Sequence, residues 1–306
     1  MRIIITGAGG FIGRKLVERL TDHDVVALDK VPEGIPERPN VIPVIGDIGD
    51  EAVLNEAFAG GCDAVVHLAT IPGGAAEQAP ELARKVNVDS TMRLVQFASL
   101  RGERTRFVFA SSIAVFDHPF PALVDDSTQV SPTMLYGAHK AMMEQWLATM
   151  TRRGELDAIS LRPSGVVARP KAPSGMKSAF LSNLFHSLRA GESFVVPVSE
   201  KAMCWLTSVE CAASNFAHAL TADLTKAPVN RTVTLPALQV CVSNLIAAVA
   251  KKTDSAPMLV SYVPDAELES TFGCYPPLAT PAGDELGFTN DSDLTLLVER
   301  ALAHCT

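Results

Sequence analysis

Tyrosine occurs only three times in 306 residues, and one of the three, Tyr136, has a lysine four positions later, Lys140. Residues four apart share a helical face, so the phenol and the ammonium can converge on one site. A neighbouring cation favours the phenolate and lowers a tyrosine pKa from its usual value of about 10. Such a phenol can exchange a proton with an alcohol near neutral pH. Ser111 and Ser112 close an apolar run upstream. A hydroxyl there can hold the substrate oxygen while the phenol moves the proton, although serine at a strand end is also an ordinary turn former. His118 and His139 are less suited to that task, because His139 lies off the Tyr136–Lys140 face and His118 sits in a proline-containing stretch.

A second constellation opens the chain. Gly7, Gly10 and Gly13 stand at GxxGxxG spacing, with Phe11 and Ile12 between the last two, directly after the apolar run at residues 3–6. Glycines between a strand and a helix allow a tight turn, close approach of a pyrophosphate, and close helix–strand packing. The unpaired N–H groups of the helix start would then meet the phosphates. Asp29 closes the second apolar run, 16 residues after Gly13. A carboxylate there can accept hydrogen bonds from both adenosine ribose hydroxyls and would repel a 2′-phosphate, which favours NAD over NADP. Lys30 follows and could contact a phosphate; Asp47 is either an adenine contact or a solvated turn carboxylate.

The elements that must position these residues are legible in the first half. Strands are expected at 3–6, 25–29, 41–44, 64–68, 107–111 and 159–162, all rich in Val and Ile, as suits strands covered on both faces. Helical spacing of apolar residues marks 11–20, 51–58 and 80–100. Repeated strand–helix–strand units imply a doubly wound parallel sheet with right-handed crossovers. The second half is less regular. Residues 163–173 suggest a loop leaving the sheet, and helices are expected at 180–190, 209–220, 243–250 and 292–303. The fold class is therefore α/β, a parallel sheet domain over residues 1–165 and a smaller mixed α/β lobe over 166–306, with part of about 205–240 returning to the first.

Composition narrows the class of partner. Hydrophobic residues make up 47% and charged residues 20%, a globular balance. The net charge of −8 argues against nucleic acid, and the absence of an 18-residue apolar run argues against a membrane span. The strand-like start at residue 1 leaves no signal peptide to expect. Six scattered cysteines without a CxxC pair suit free thiols in a cytoplasmic protein and no metal site.

Taken in order, the glycine turn, Asp29, Asp47-Ile48, His67-Leu68-Ala69, Asn87, Ser111-Ser112-Ile113-Ala114-Val115-Phe116 and the Tyr136–Lys140 pair resemble an extended short-chain dehydrogenase/reductase. This is the family of sugar-nucleotide epimerases and dehydratases, with a Rossmann-type sheet. The resemblance implies Tyr136 as acid/base, Lys140 on the nicotinamide ribose and Ser112 as the catalytic hydroxyl. It also implies cofactor contacts at Phe11, Ile12, Ile48, Leu68, Ala69, Asn87, Ser111, Pro163 and Val166, and a homodimer formed by the helices at 80–100 and 136–153. Two departures stand out. Phe116-Asp117 replaces the usual Tyr-Gly, and Lys201, Trp205, Thr207 and Ser208 replace an arginine–aromatic pattern and its paired acids. Family members that act on nucleotide sugars use that neighbourhood to hold a diphosphate.

Residues 71–78, 111–116 and 162–180 are similar to the D-erythronate dehydrogenase subfamily. That likeness implies oxidation of a small sugar acid at its 2-hydroxyl by NAD, with Gly73 and Ile113 beside the substrate. A hydroxy acid needs a fixed cation, and Arg169 and Lys177 lie in the stretch that would cover the site; a surface charge is the plainer reading of each. Two rivals remain, a nucleotide-sugar epimerase or dehydratase that retains its NAD, and a non-catalytic NAD-responsive binding protein.

Overall fold

The computed structural model describes residues 1–100, 104–171 and 177–305. Its first six strands are β1 (Arg2–Thr6), β2 (Asp24–Asp29), β3 (Val41–Ile45), β4 (Ala64–His67), β5 (Arg106–Ala110) and β6 (Asp157–Arg162). They are followed by β7 (Gly165–Val167), β8 (Phe194–Val196), β9 (Met203–Ser208), β10 (Thr232–Thr234), β11 (Leu238–Cys241) and β12 (Val260–Tyr262). Seven of them form one parallel sheet in the order β10-β6-β5-β4-β1-β2-β3. The order reverses beside β1, which is the doubly wound, Rossmann-type arrangement. A three-stranded sheet, β11-β9-β7, mixes parallel and antiparallel pairs, and β12 pairs with β8 in a third.

The helices are α1 (Phe11–Arg19), α2 (Glu51–Phe58), α3 (Gly73–Gln78), α4 (Pro80–Arg84), α5 (Thr91–Ser99) and α6 (Leu135–Arg152). After these come α7 (Phe180–Ala190), α8 (Val209–Ala219), α9 (Val242–Thr253), α10 (Ala266–Phe272), α11 (Pro281–Glu285) and α12 (Leu294–Leu302). On one face of the large sheet, Ile3, Ile5, Val25, Val108 and Ile159 pack with Leu16 and Val17 of α1 and Phe216 of α8. On the other face, Ile4, Val26, Val65 and Phe107 meet Leu54 of α2, Leu94 of α5 and Met143 and Leu147 of α6. A separate core joins Leu184 and Phe185 of α7, Leu245 of α9, Leu297 of α12 and Cys204 and Leu206 of β9.

Two sequence expectations need correction. The helix at 80–100 is divided into α4, a π-helical segment Lys85–Ser90, and α5. Residues 163–173 are not simply a loop, because β7 forms there and pairs with β9. The short strands of the second half carry little periodicity, and only their partners reveal them. Elsewhere local chemistry sets the boundaries. Asp50 caps α2 by accepting from the Ala52 N–H at 2.9 Å, and α7 ends where Gly191 adopts φ +68°.

His67, at the end of β4, is fully buried between the Thr6 hydroxyl (2.6 Å from Nδ1) and the Thr91 hydroxyl (2.8 Å from Nε2). Burial, assisted by the charge of Lys140, pulls its pKa from 6.5 down to about 3. The imidazole therefore stays neutral in the fold, whereas the unfolded chain takes up a proton below pH 6.5. Stability from this group is complete above that pH and is lost as the pH falls toward about 3. Urea denaturation should show the native chain losing about 2 kcal/mol more than a His67→Gln variant between about pH 7 and about pH 5. Equal losses would contradict this account.

Candidate active site

The parallel strands all end on one edge of the sheet, where open α/β sheets bind ligands. After β1 the chain turns through Gly7, at φ +70°, and a Cβ there would lie 2.8 Å from the Ala69 backbone nitrogen. A Cβ on Gly13 would run into the Gly7 carbonyl oxygen. Gly10 differs, since the nearest atom to its missing side chain is that same carbonyl at 3.1 Å, so the fold itself tolerates a methyl better there. Close approach by a ligand is the further reason for glycine at Gly10. Gly10 is the N-cap of α1 and has no side-chain cap, and the first turn, with Phe11 and Ile12, carries no acid. The N–H groups at this helix start thus suit an anion.

Asp29 Oδ2 accepts from the Gly9 N–H at 2.9 Å and Oδ1 from the Lys30 N–H at 2.7 Å, which fixes the carboxylate beside the glycine turn. The Lys30 ammonium turns to Asp47 at 3.6 Å, while Asp47 also accepts from the Gly49 N–H at 2.8 Å. Ile48 is buried, and Leu68 and Ala69 form the wall against which Gly7 packs. Asn87 is buried and ties down the chain after β4. It accepts from the Thr70 hydroxyl and the Ile71 N–H and donates to the Ile71 carbonyl, at 2.7–3.0 Å. Val166 on β7 packs with Phe11 and Ile12, so the three-stranded sheet meets the start of α1.

Tyr136 and Lys140 lie on the same face of α6, with the Lys140 ammonium 5.4 Å from the Tyr136 ring centroid. Lys140 is buried, donates to the Ala110 carbonyl at 2.7 Å, and has its pKa pulled by burial down to about 7, against the opposing charge of Glu144. Burial raises the Tyr136 pKa, while the Arg169 guanidinium and a hydrogen bond with the Ser112 hydroxyl lower it. The sequence pointed to Lys140 as the cation that lowers the phenol pKa; in the fold burial outweighs the lowering contacts, the net shift is upward, and the cation that acts on the phenol is Arg169. Burial in turn lowers the Arg169 pKa, and Tyr136 opposes that shift. Arg169 is anchored by its N–H to the Ser182 hydroxyl at 3.0 Å and by its carbonyl to the His186 ring at 2.7 Å.

Ser112 Oγ accepts from the Ala114 N–H at 3.1 Å and caps the short turn Ile113–Val115. Gly137 allows α6 to reach this turn, since a Cβ there would strike the Ala114 carbonyl. The Pro163 carbonyl accepts from the Ile113 N–H at 3.2 Å. Gly73 begins α3, and Glu77 on that helix accepts from the Leu135 N–H at 2.7 Å, securing the start of α6. Lys177 opens the short helical turn Lys177–Ala179, but its side chain lies outside the described residues.

The Ser111 hydroxyl does not face this edge. It donates to Glu144, whose carboxylate also takes two hydrogen bonds from Arg162 at 2.7 Å each, all within the sheet–α6 interface. Sequence reading missed Glu144 and Glu77; the spacing of four between Lys140 and Glu144 was the available signal for the first. It also missed Ser164, whose buried hydroxyl beside Pro163 has no hydrogen-bond partner among the described residues. His139 is buried, its Nδ1 likewise without a partner among them, and His118 is exposed against Phe120. Trp205 stacks on Tyr275 at 4.6 Å, and Thr207 and Ser208 bond the buried Asp291. Among the described residues, no helix is long and apolar enough to cross a membrane and no three His, Cys, Asp or Glu side chains could hold a metal ion.

The profile of the NAD dependent epimerase/dehydratase family matches residues 3–227. D-erythronate dehydrogenase of Haemophilus influenzae is 28% identical, over 99% of each chain. The same enzyme of Cupriavidus necator is 30% identical over 90% of each. Among solved structures, a nucleoside-diphosphate-sugar epimerase from Agrobacterium tumefaciens superposes with a TM-score of 0.89 at 28% identity, covering 99% of this chain and 94% of that one. An L-threonine dehydrogenase from Cupriavidus necator in its holo form shares the fold, with a TM-score of 0.86 at 22% identity and full coverage of both chains.

The glycine turn yields a graded test. Gly13→Ala should cost about 3 kcal/mol or more of unfolding free energy, because the methyl group meets backbone, whereas Gly10→Ala should cost under about 1 kcal/mol. Chemical denaturation of the two variants checks the order, and a reversed order would refute the packing argument.

Proposed function

Because the chain belongs to the NAD-dependent epimerase/dehydratase family, we propose that this NAD-dependent oxidoreductase oxidises the 2-hydroxyl of a small sugar acid resembling D-erythronate to a 2-oxo acid. The observation that carries the proposal is the pairing of Arg169 with Tyr136 in one half-buried setting, a fixed cation beside an acid/base. The D-erythronate dehydrogenases aligned over nearly the whole chain support the same substrate class.

The residues present fit a dinucleotide. The side-chain-free surface at Gly10, the uncapped start of α1 at Phe11–Gly13 and the fixed Asp29 carboxylate suit its pyrophosphate and adenosine ribose. Asp47 and Ile48 would border the adenine, and Leu68, Ala69 and Asn87 the middle of the molecule. Lys140, Pro163, Val166 and the orphan hydroxyl of Ser164 would border the nicotinamide end. NAD supplies the hydride acceptor when bound.

The remaining chemistry belongs to the chain. Arg169 clamps the substrate carboxylate with paired hydrogen bonds and keeps its charge despite burial. Ser112 holds the 2-oxygen, and Tyr136, as phenolate, takes the alcohol proton. The backbone at Gly73 and Ile113 borders the sugar acid, and Lys177 is the second candidate cation. Burial raises the Tyr136 pKa, so the active phenolate grows with pH and oxidation should accelerate toward alkaline pH. Homodimerisation through α4–α6 and a cytoplasmic setting complete the proposal.

A nucleotide-sugar epimerase is the second reading, favoured by the Agrobacterium structure. Against it, Trp205, Thr207 and Ser208 are buried and already engaged, Trp205 with the Pro276 carbonyl and the two hydroxyls with Asp291. NADH appearance with purified protein, NAD and a panel of four- to six-carbon sugar acids separates the readings. Turnover of one stereoisomer, weak with NADP, is expected; tightly held cofactor and no net NADH would favour the epimerase.

Two substitutions test the roles. Tyr136→Phe should cut turnover by about a thousandfold while NAD binding persists. Arg169→Met should raise KM for the acid about a hundredfold and move the rising limb of the pH profile upward, since a cation favouring the phenolate is gone. Near-native kinetics in either variant would refute its assigned role.

A further inference from the structure

Directly behind Tyr136 and Lys140 lies a buried charge that the proposed mechanism leaves unused. Glu144 is one helical turn beyond Lys140 on the buried face of α6. Its carboxylate accepts from Arg162 Nε and Nη2 at 2.7 Å each and from the Ser111 hydroxyl. Lys140 donates to the carbonyl of Ala110, the residue before Ser111, and lies 4.7 Å from the Phe109 ring centroid. The end of β5 is therefore gripped at successive residues by Lys140 and Glu144. The charged and titratable groups around this pair are Tyr136 and His139 on α6, neutral His67 on β4, Arg162 on β6 and Arg169 after β7. Arg162 is bound by Glu144 and covered by the Phe116 ring at 5.0 Å, and Glu144 is the anion that acts on Lys140.

We propose that Glu144 is a positioning residue for the Tyr136 acid/base: held by Arg162 and Ser111, its carboxylate keeps Lys140 protonated and fixed on the Ala110 carbonyl. The inference rests on the reading of Tyr136 given above. A buried ammonium without a nearby anion releases its proton, and a neutral lysine gives no support to a phenolate. Burial already pulls Lys140 down to about 7 with Glu144 in place. Loss of the carboxylate would lower the Lys140 pKa further.

The test uses the full chain in three forms: Glu144→Gln, Glu144→Asp, and Glu144→Gln combined with Arg162→Met, which leaves no unpaired guanidinium in the core. Lysine labelled with carbon-13 at the ε position reports the Lys140 titration by NMR, assigned with Lys140→Met, and NADH formation gives the pH profile. Both glutamine forms should lower the Lys140 midpoint by at least about one pH unit and raise the limb of kcat by a similar amount, about a tenfold loss near neutral pH. Glu144→Asp, which keeps the charge, should retain most of the native profile. A folded double variant with the native Lys140 midpoint and pH profile overturns the proposal. Full activity in Tyr136→Phe would instead overturn the underlying reading, and it is observed with Glu144 untouched.

Discussion

The buried Arg162–Glu144 ion pair is the interaction on which the geometry of this molecule turns. Both partners are nearly inaccessible to solvent. Taking a guanidinium and a carboxylate out of water costs several kcal/mol per ion, so the pair is tolerable only with its hydrogen bonds complete. Completion requires β6, α6 and the end of β5 to be in register at once, because the ligands come from all three. An apolar interface could slide by part of a turn at small cost; a bidentate pair cannot. Whatever α6 carries one and two turns earlier is therefore placed with the same accuracy, and it carries Lys140 and Tyr136.

The sheet divides the remaining work between its edges and faces. Its two faces are closed by α1 and α8 on one side and by α2, α5 and α6 on the other, which leaves the carboxyl ends of the strands as the open boundary. There the chain must turn abruptly, and each turn has a polar group fixing it. Asp29 holds the Gly9 N–H, Asn87 holds Thr70 and Ile71, and Ser112 holds the Ala114 N–H. These groups preorganise the edge, so little ordering remains when a ligand arrives. Arg169 reaches the Tyr136 phenol from the chain beyond β7, anchored by Ser182 and His186 of α7. A cation anchored on α7 gives the site a dependence on the packing of that helix that the glycine turn and α6 do not have.

Legibility in the sequence followed the distance over which each decision is made. Gly7, Gly10 and Gly13, the strand at the chain start and the Tyr136–Lys140 pair are local patterns, and local sterics or helical geometry give them meaning without any partner. The same holds for the strands inside the large sheet, whose apolar runs demand cover on both sides, whereas the edge strand β3 leaves Ile42 and Ile45 exposed. By contrast, β7 and β11 are short and weakly patterned, and they exist because each pairs with β9. The π-helical segment at Lys85–Ser90 is likewise invisible locally; within it Asn87 is held to Thr70 and Ile71, which lie 16 or 17 residues away.

What the sequence alone determined, then, was the α/β sheet of Rossmann type, the glycine turn that opens it and the phenol–ammonium pair, because these depend on contacts within a few residues or on a period. Only the tertiary structure decided which groups act on that pair. It turned the Ser111 hydroxyl inward to Glu144, brought Arg169 to the Tyr136 phenol, and put Trp205 into a core. The physical reason is that charge and burial act through space. A lysine's proton affinity is set by the carboxylates and apolar side chains around it, and the fold draws those from strands and helices far apart in the chain.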